Sequence, residues 1–480
     1  MFRFCNWFES NGSALSGQRQ SLELRQVVSI LQRLPDSLLI DAPLRNRYGW
    51  LAYTSCARTP LDMSQPPDLT LPPIVSPHAA LINGTILSPF TQLRRLLDDI
   101  PSGHAKPIEL TIGEPREAMP NFIVAKLNEA AALYAKYPPI RGSDELKGAI
   151  AAWAVRRYDI PGGIDPAREI LALNGSREGL FFACLPAMGR KAATLPKGAR
   201  AAILMCNPYY SAYVAGALGV GAEAVFLNAT KATGFLPDLD ELASDTQLLA
   251  RTAALFICSP SNPQGAVACP AYIKRALMLA HSHGFMLFLD ECYSEIYTQA
   301  PPIGGLEVAA HTPQRFANLV VFNSLSKRSN LPGLRSGFCA GDATFLEAYG
   351  EIRNMCAPQV PGPVQHASAA AWADEAHVEV ARDAYRAKFD IADKVLAGKF
   401  DYERPAGGFC LWLDMSQIGG GEHAAVTLWK SLGVKVIPGA YLAQAGSNGI
   451  NPGTNYVRVA LVADVASVRE ALERIVFVTA

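Results

Sequence analysis

Long apolar runs without polar alternation are the first regular feature of this chain. Ala201–Cys206 (AAILMC), Ala224–Leu227 (AVFL), Ala253–Cys258 (AALFIC), Phe285–Leu289 (FMLFL) and Leu319–Phe322 (LVVF) are all of this kind. A strand with one face in water alternates apolar and polar residues. An uninterrupted apolar strand is buried on both faces, as in a parallel sheet covered by helices. Helix-length segments such as Ser211–Val220 and Pro270–His283 separate several of these runs. Strand and helix in alternation predict an α/β fold with a mostly parallel central sheet sandwiched by helices. After Pro363 a long helical stretch is predicted from Val364 to about Ala397, followed by a mixed segment to the C-terminus. That tail predicts a second, smaller α+β domain.

Residues 1 to about 85 break the pattern. They contain no lysine, the first being Lys106, and carry the proline pairs Pro66-Pro67 and Pro72-Pro73. Within them Ser21–Leu34 (SLELRQVVSILQRL) has helical apolar spacing. Three readings stand side by side: a flexible extension, an organellar transit peptide, or upstream sequence read from a misplaced start, with Met63 as the alternative start. Transit peptides are poor in acids, and Glu9, Glu23, Asp36 and Asp41 weigh against one.

Composition narrows the function classes. The 480 residues are half hydrophobic, and 43 Lys+Arg balance 43 Asp+Glu. A chain of that hydrophobicity folds around a substantial core. Zero net charge leaves no global electrostatic case for nucleic acid or an anionic membrane surface as partner. No apolar run reaches the ~18 residues of a membrane helix. Arg3 and Glu9 bracket too few apolar residues for a secretory signal. Ten cysteines are scattered singly from Cys5 to Cys410 without CxxC or metal-ligand spacing. The expectation is buried, reduced thiols in a cytoplasmic protein that binds no metal.

Ligands of open α/β sheets bind beyond the carboxyl ends of the strands, and polar residues gather there. Ala201–Cys206 runs into Asn207-Pro208-Tyr209-Tyr210, and Ala253–Cys258 into Ser259-Pro260-Ser261-Asn262-Pro263-Gln264-Gly265. Phe285–Leu289 ends in Asp290-Glu291-Cys292-Tyr293, and Leu319–Phe322 in Asn323-Ser324-Leu325-Ser326-Lys327. Each residue alone has a plain structural role: Asn262 a turn, Asp290 a cap, Lys327 a surface charge, Tyr210 packing. Their placement at successive strand ends suggests a shared chemistry. A lysine of lowered pKa forms a Schiff base with an aldehyde cofactor. Pyridoxal phosphate is such a cofactor, and its pyridinium nitrogen needs a carboxylate partner. Asp290 could be that carboxylate. Asn262 and Tyr293 could bind the ring oxygen, and Tyr210 could stack on the ring. Asn174-Gly175-Ser176-Arg177-Glu178-Gly179, opening a helix after the apolar run Ile170–Leu173, offers backbone N–H groups and a hydroxyl to the phosphate. A plain N-cap at Ser176 is the competing reading. Ser324 and Arg335 could add a hydroxyl and a fixed charge.

These residues together resemble a known family. Ser324-x-Ser326-Lys327 followed by Gly333-x-Arg335-x-Gly337 resembles the lysine signature of class I/II aminotransferases of pyridoxal-phosphate fold type I. Asn262-Pro263-x-Gly265, Asp290-Glu291-x-Tyr293, Tyr137-Pro138 with Gly142, Gly113-Glu114-Pro115 and Arg458 are similar to the family's other landmarks, in its order. The resemblance covers residues 86 to 480. It implies a fold type I architecture: an N-terminal part of the small domain in 86–125, a large cofactor-binding domain in 126–365 and a small C-terminal domain in 366–480. It implies that Lys327 carries the cofactor, that Gly113 and Arg458 bind the substrate carboxylate, and that Tyr137 reaches the phosphate of a neighbouring subunit in a homodimer. Asn174-Gly-Ser-Arg-Glu, Asp290-Glu-Cys-Tyr-Ser-Glu-Ile-Tyr297, Ser324-Leu-Ser-Lys-Arg-Ser-Asn330 and Asn451-Pro-Gly453 are closest to bacterial N-succinyl-L,L-diaminopimelate aminotransferases of lysine biosynthesis. That group exchanges an amino group with glutamate/2-oxoglutarate. The chain departs from it at Arg116-Glu117-Ala118-Met119, where a His-Pro pair is usual, and at Ser261 and Gln264.

Other functions stay in view. The same fold and cofactor serve aspartate-type and aromatic aminotransferases, and C–S lyases that release ammonia and pyruvate. A transcription factor with a DNA-reading N-terminus would need a basic module in residues 1–85, which hold seven Arg against six Asp/Glu. For the distal carboxylate of a substrate, Arg177, Arg328 and Arg141 are candidates, each with a structural salt bridge as its plainer role.

Overall fold

The computed structural model describes residues 86–446 and 449–478. The helix predicted at Ser21–Leu34 lies outside them. Near the start, β1 (Ile108–Glu109) is a two-residue strand. The central sheet is built from β2 (Ile170–Leu173), β3 (Ala202–Asn207), β4 (Glu223–Asn228), β5 (Thr252–Cys258), β6 (Met286–Asp290), β7 (Leu319–Ser324) and β8 (Gly337–Gly341). Its order is β2-β8-β7-β6-β5-β3-β4. Strands β4, β3, β5, β6 and β7 pair in parallel, and β8 runs antiparallel to both its neighbours.

Alternate residues of the apolar strands feed two separate cores, which is why the runs carry no polar positions. Leu204, Leu255, Ile257, Leu287, Leu289 and Val321 face one core, shared with helices Asp144–Arg157, Pro270–His283 and Gly362–Ala373. Ile203, Met205, Phe256, Met286, Phe288 and Phe322 face the other, with helices Ser176–Phe182, Ser211–Gly219 and Ala343–Cys356. One strand departs from the expectation of two buried faces. Strand β4 is half-buried along its whole length because it is the edge of the sheet.

The long helix expected over Val364–Ala397 is two helices, Gly362–Ala373 and Ala376–Leu396, broken at Asp374-Glu375. Beyond them β9 (Cys410–Asp414), β11 (Ile437–Pro438) and β12 (Tyr456–Ala460) form an antiparallel sheet in the order β11-β12-β9. Strand β10 (Val434–Lys435) pairs in parallel with β1. This smaller sheet has its own core of Leu411, Leu413, Val457 and Val459 against the helices Gly421–Leu432 and Val465–Phe477. The strand β1 segment continues as Leu110, whose carbonyl accepts from Ala460 N at 2.9 Å. The chain from Leu110 to Pro120 is thereby led past the small sheet to the ends of β5, β6 and β7.

All eight described cysteines are free. Six are buried as expected, whereas Cys269 and Cys356 are exposed. Among the described residues no cluster of His, Cys, Asp or Glu is arranged to hold a metal. No described helix is long and apolar enough to cross a membrane.

Candidate active site

Lys327 sits on a single helical turn, Leu325–Arg328, that follows β7 at its carboxyl end. The turn is capped by Ser324, whose Oγ accepts from Ser326 N at 3.1 Å and contacts Ser326 Oγ at 2.9 Å. The Lys327 ammonium donates to the carbonyl of Gly113 and lies 5.4 Å from the centre of the Phe409 ring. Burial pulls its pKa down to about 8, with Arg458 pulling the same way. A lysine in that range is a usable nucleophile and proton carrier near neutral pH.

Asp290 ends the neighbouring strand β6 and is 5% exposed. Tyr213 OH donates to its Oδ2 at 2.7 Å and Cys292 N to its Oδ1 at 3.2 Å. Tyr213 is fixed in turn by stacking on Phe256, with ring centres 4.6 Å apart. Burial raises the Asp290 carboxyl, opposed by these hydrogen bonds and by the charge of Lys327. Among the described residues no cationic side chain forms an ion pair with Asp290. A buried carboxylate without a cation is held at the cost of its desolvation, which a cationic partner would offset.

A group of hydrogen-bond donors surrounds one glycine turn on one side. Gly175 precedes the helix Ser176–Phe182, with φ +78° and ψ 158°, a region open essentially to glycine alone. A Cβ there would stand 2.5 Å from Arg335 Nη2. The Arg335 guanidinium donates to Asn174 O at 3.1 Å and to Pro332 O at 3.0 Å, which leaves donors of its fork spare. Ser176 does not act as a helix cap. Its hydroxyl meets Cys292 Sγ at 3.0 Å instead. Ser176, Ser324, Ser326 and Arg335 therefore offer three hydroxyls and a fixed positive charge around one glycine turn. Arg177 donates through Nε to Tyr210 OH at 2.5 Å, tying the stacking candidate Tyr210 to the same turn.

Arg458 lies on β12, 5% exposed, opposite Ile437 and Trp412 in its neighbouring strands. Its Nη2 donates to Thr111 O at 2.6 Å and its Nη1 to Asn262 Oδ1 at 3.2 Å, while its Nε is buried without a partner. Asn262 thus uses its side chain on the arginine. The turn it belongs to ends at Gly265, with φ +74°, where a Cβ would stand 2.5 Å from the Gly407 carbonyl. That close approach locks the turn to the segment leading into β9. Gly113 lies over this assembly: a Cβ on it would reach Phe409 at 3.3 Å and Tyr293 OH at 3.9 Å.

Gly113, Gly175, Ser176, Arg177, Tyr210, Asn262, Asp290, Tyr293, Ser324, Lys327, Arg335 and Arg458 converge at one end of the central sheet. Tyr137 does not join them. It is 96% exposed on the loop after Ala131–Ala135. Two arginines proposed for a distal carboxylate are committed elsewhere. Arg328 is buried against Glu375 at 2.8 Å and Ala371 O at 2.7 Å. Arg141 donates to Leu346 O at 2.9 Å and to the carbonyls of Ala167 and Arg168. Sequence reasoning overlooked Tyr213, Phe409, Tyr385 and Lys388, and noted Glu117 only as part of the departing Arg116–Met119 segment. Tyr385 stacks on Phe409 with centres 5.3 Å apart, and its hydroxyl is buried without a partner. Lys388, fully buried, binds Glu117 Oε1 at 2.6 Å in the departing Arg116–Met119 segment. Only Tyr213 left a signal, three residues after Tyr210 and so on the same helical face.

The profile of the family described as "Aminotransferase class I and II" matches residues 105–475. This protein belongs to the class I and II aminotransferases. Among curated relatives, the aminotransferase is 29% identical over 390 residues to LL-diaminopimelate aminotransferase of Syntrophobacter fumaroxidans, covering 80% of this chain and 94% of the relative. It is 33% identical to 4-dedimethylamino-4-oxo-anhydrotetracycline transaminase OxyQ of Streptomyces rimosus, covering 77% and 92%. Among solved structures, it resembles an aminotransferase from Neisseria meningitidis with a TM-score of 0.76 at 38% identity, covering 82% and 97%. Aminotransferase AspB from Helicobacter pylori matches with a TM-score of 0.72 at 32% identity, covering 81% and 97%.

Proposed function

We propose that this aminotransferase binds pyridoxal phosphate at Lys327 and moves an amino group between glutamate/2-oxoglutarate and the C7 diaminopimelate skeleton in its N-succinylated form. The observation that carries the cofactor reading is the pairing of a half-buried amine, its pKa lowered to about 8 by burial, with a buried carboxylate that no cationic side chain among the described residues pairs with. When bound, pyridoxal phosphate supplies an aldehyde carbon for covalent attachment and a pyridinium ring that accepts electron density. The residues present fit it. Asp290 would take the positive charge of the ring nitrogen. Ser176, Ser324, Ser326 and Arg335 would hold the phosphate. Tyr293 and Asn262 would bind the ring oxygen, and Tyr210 would stack on the ring.

The rest of the work falls to this chain's own side chains. Arg458, fixed by Thr111 and Asn262, presents its planar fork to a substrate α-carboxylate. Gly113 gives the substrate room where a side chain would crowd Phe409. The Lys327 amine would take the proton from the substrate Cα and deliver it to the carbon that was the cofactor's aldehyde, a transfer suited to its lowered pKa. Phe409, whose ring centre lies 5.4 Å from that amine, covers it on one side. Tyr137, fully presented to the outside beside exposed Tyr134 and Leu133, is available to a second copy in a two-fold homodimer.

The succinylated substrate rests on the motif resemblance. The relatives named LL-diaminopimelate aminotransferase favour a second reading, the free L,L-amino acid. A panel of donors separates them: N-succinyl-L,L-diaminopimelate, L,L-diaminopimelate, aspartate and an aromatic amino acid, each with 2-oxoglutarate. Preference for the succinylated donor supports the proposal, and preference for any other overturns it.

A further inference from the structure

Two residues past Lys327 a hydrogen-bonded chain begins that the reaction as described does not use. Ser329 Oγ meets His377 Nε2 at 2.8 Å, and His377 Nδ1 meets Asp374 Oδ2 at 2.5 Å. Serine, histidine and aspartate in that order are the parts of a hydrolytic triad. That use fails here, because Ser329 has no exposed surface and its Oγ also accepts from Arg328 Nη1 at 3.3 Å. No substrate can reach it.

The chain ends at a telling place. Asp374 and His377 flank the break between the helices Gly362–Ala373 and Ala376–Leu396. Arg328, the residue between Lys327 and Ser329, grips the same break. It donates to Ala371 O at 2.7 Å, Asp374 O at 3.2 Å and Glu375 Oε1 at 2.8 Å, and lies 4.8 Å from the centre of the Trp372 ring. The helix that starts at the break carries Tyr385, which stacks on Phe409, the ring beside the Lys327 amine. Lys327 is thus held from both ends by this break and the helix after it: its backbone turn through Arg328 at the break and Ser329 at His377, and its amine's apolar wall through Tyr385. The edge of Phe122 covers the imidazole at 5.8 Å.

We propose that Ser329, His377 and Asp374 form a positioning relay that holds the Lys327 turn against the helix break and so fixes the direction of the Lys327 side chain. The relay rests on the reading of Lys327 as the cofactor-bearing residue. Nothing in it transfers a group. His377 donates to Asp374 and accepts from Ser329, and the serine hydroxyl ties the turn.

The test uses the full chain, with and without pyridoxal phosphate, in Ser329→Ala, His377→Ala, the double variant and His377→Gln. Hydrogen exchange by mass spectrometry on the cofactor-free protein reads the turn directly. Loss of one buried hydrogen bond predicts roughly tenfold faster exchange over residues 325–331. The double variant should be no faster than the faster single one, because both remove the same link. In the loaded enzyme kcat should fall about tenfold with KM for the amino donor nearly unchanged, since substrate contacts are intact. The pH midpoint of the bound cofactor's absorbance should also move. His377→Gln, which keeps an acceptor for Ser329, should recover part of each effect. Wild-type exchange over 325–331 in both single variants overturns the relay. So does faster exchange with unchanged kcat and absorbance, which would make the chain a structural tie only. Should His377→Ala fail to fold, Ser329→Ala decides alone. Failure of the cofactor reading shows separately, as wild-type protein without a lysine-bound chromophore, and the exchange arm still decides whether the clamp exists.

Discussion

Replacing Asp290 with Asn removes one charge from the site and almost nothing of its shape. The amide can still accept from Cys292 N and meet the Tyr213 hydroxyl, which turns to accept. Two effects of opposite sign follow. In the cofactor-free protein the carboxylate is buried with no cationic side chain among the described residues paired to it, and its pKa is raised by that burial. A carboxyl raised in the fold holds its proton more tightly there than in the unfolded chain. Its charged form therefore costs stability at neutral pH, and the cost fades as pH falls through the raised pKa to the ordinary carboxylate range. Cofactor-free Asp290→Asn should be at least as stable as wild type at pH 7, the gap closing on acidification. With pyridoxal phosphate bound the sign reverses. A charge-assisted contact of about 3 Å at an effective dielectric constant near 20 is worth roughly 5 kcal/mol. Removing one partner of such a buried pair costs about 3–5 kcal/mol. Cofactor affinity and turnover should then fall together by about a hundredfold to a few thousandfold. Thermal melts against pH, a cofactor titration and single-turnover kinetics measure the three quantities. Wild-type turnover in Asp290→Asn, or a large loss of cofactor-free stability, would refute the assignment of Asp290 as the waiting counter-charge.

Four further outcomes are expected. Cofactor capture by the cofactor-free protein should rise with pH about a midpoint near 8, because the amine of Lys327 must first lose its proton. Stopped-flow absorbance reads this, and a midpoint at the ordinary lysine value would count against it. Arg458→Lys keeps the charge but loses the fork held by Thr111 and Asn262, so KM for amino donors should rise about ten- to a hundredfold; an unchanged KM for every donor would remove Arg458 from the site. Gly175→Ala forces a side chain into a glycine-only conformation against Arg335, with an expected stability loss of about 1–3 kcal/mol and weakened phosphate binding; competition by inorganic phosphate measures the second effect. Glu117→Gln leaves the Lys388 ammonium buried and unpaired, whereas Lys388→Met leaves a carboxylate that water reaches. The first should cost about 2–3 kcal/mol in urea unfolding and the second clearly less, and equal losses would show that burial of Lys388 does not set the cost of breaking the pair.

Much of the fold was legible because burial on two faces writes itself into the strands. Residues such as Leu204 and Met205 supply different cores, so both must be apolar. Strand β8 escaped notice for the opposite reason. Gly337 is required by backbone packed against it, a Cβ there standing 2.5 Å from Asn323 O, and a Gly-Phe-Cys-Ala-Gly segment reads as a loop. The break at Asp374-Glu375 has neither glycine nor proline to announce it. Arg328 and Ser329, from a distant part of the sequence, bond to the residues on either side of it. The site was legible where chemistry demands particular residues at strand ends, as at Asp290 and Lys327. It was not legible where a residue acts by apolar contact, as Phe409 and Tyr385 do. Nor could sequence distinguish arginines free to meet a ligand from Arg328, which the interior has already engaged.

Amino-group transfer at Lys327 is most directly tested in a single half-reaction. The purified, pyridoxal-phosphate-loaded protein is mixed with N-succinyl-L,L-diaminopimelate, without a keto acid. The lysine-bound chromophore and the keto product are followed together. One equivalent of keto acid per active site should appear as the chromophore is lost, 2-oxoglutarate should restore it with release of glutamate, and Lys327→Ala should do neither. Multiple turnovers without a keto acid, release of ammonia, or an active Lys327→Ala protein would contradict the account.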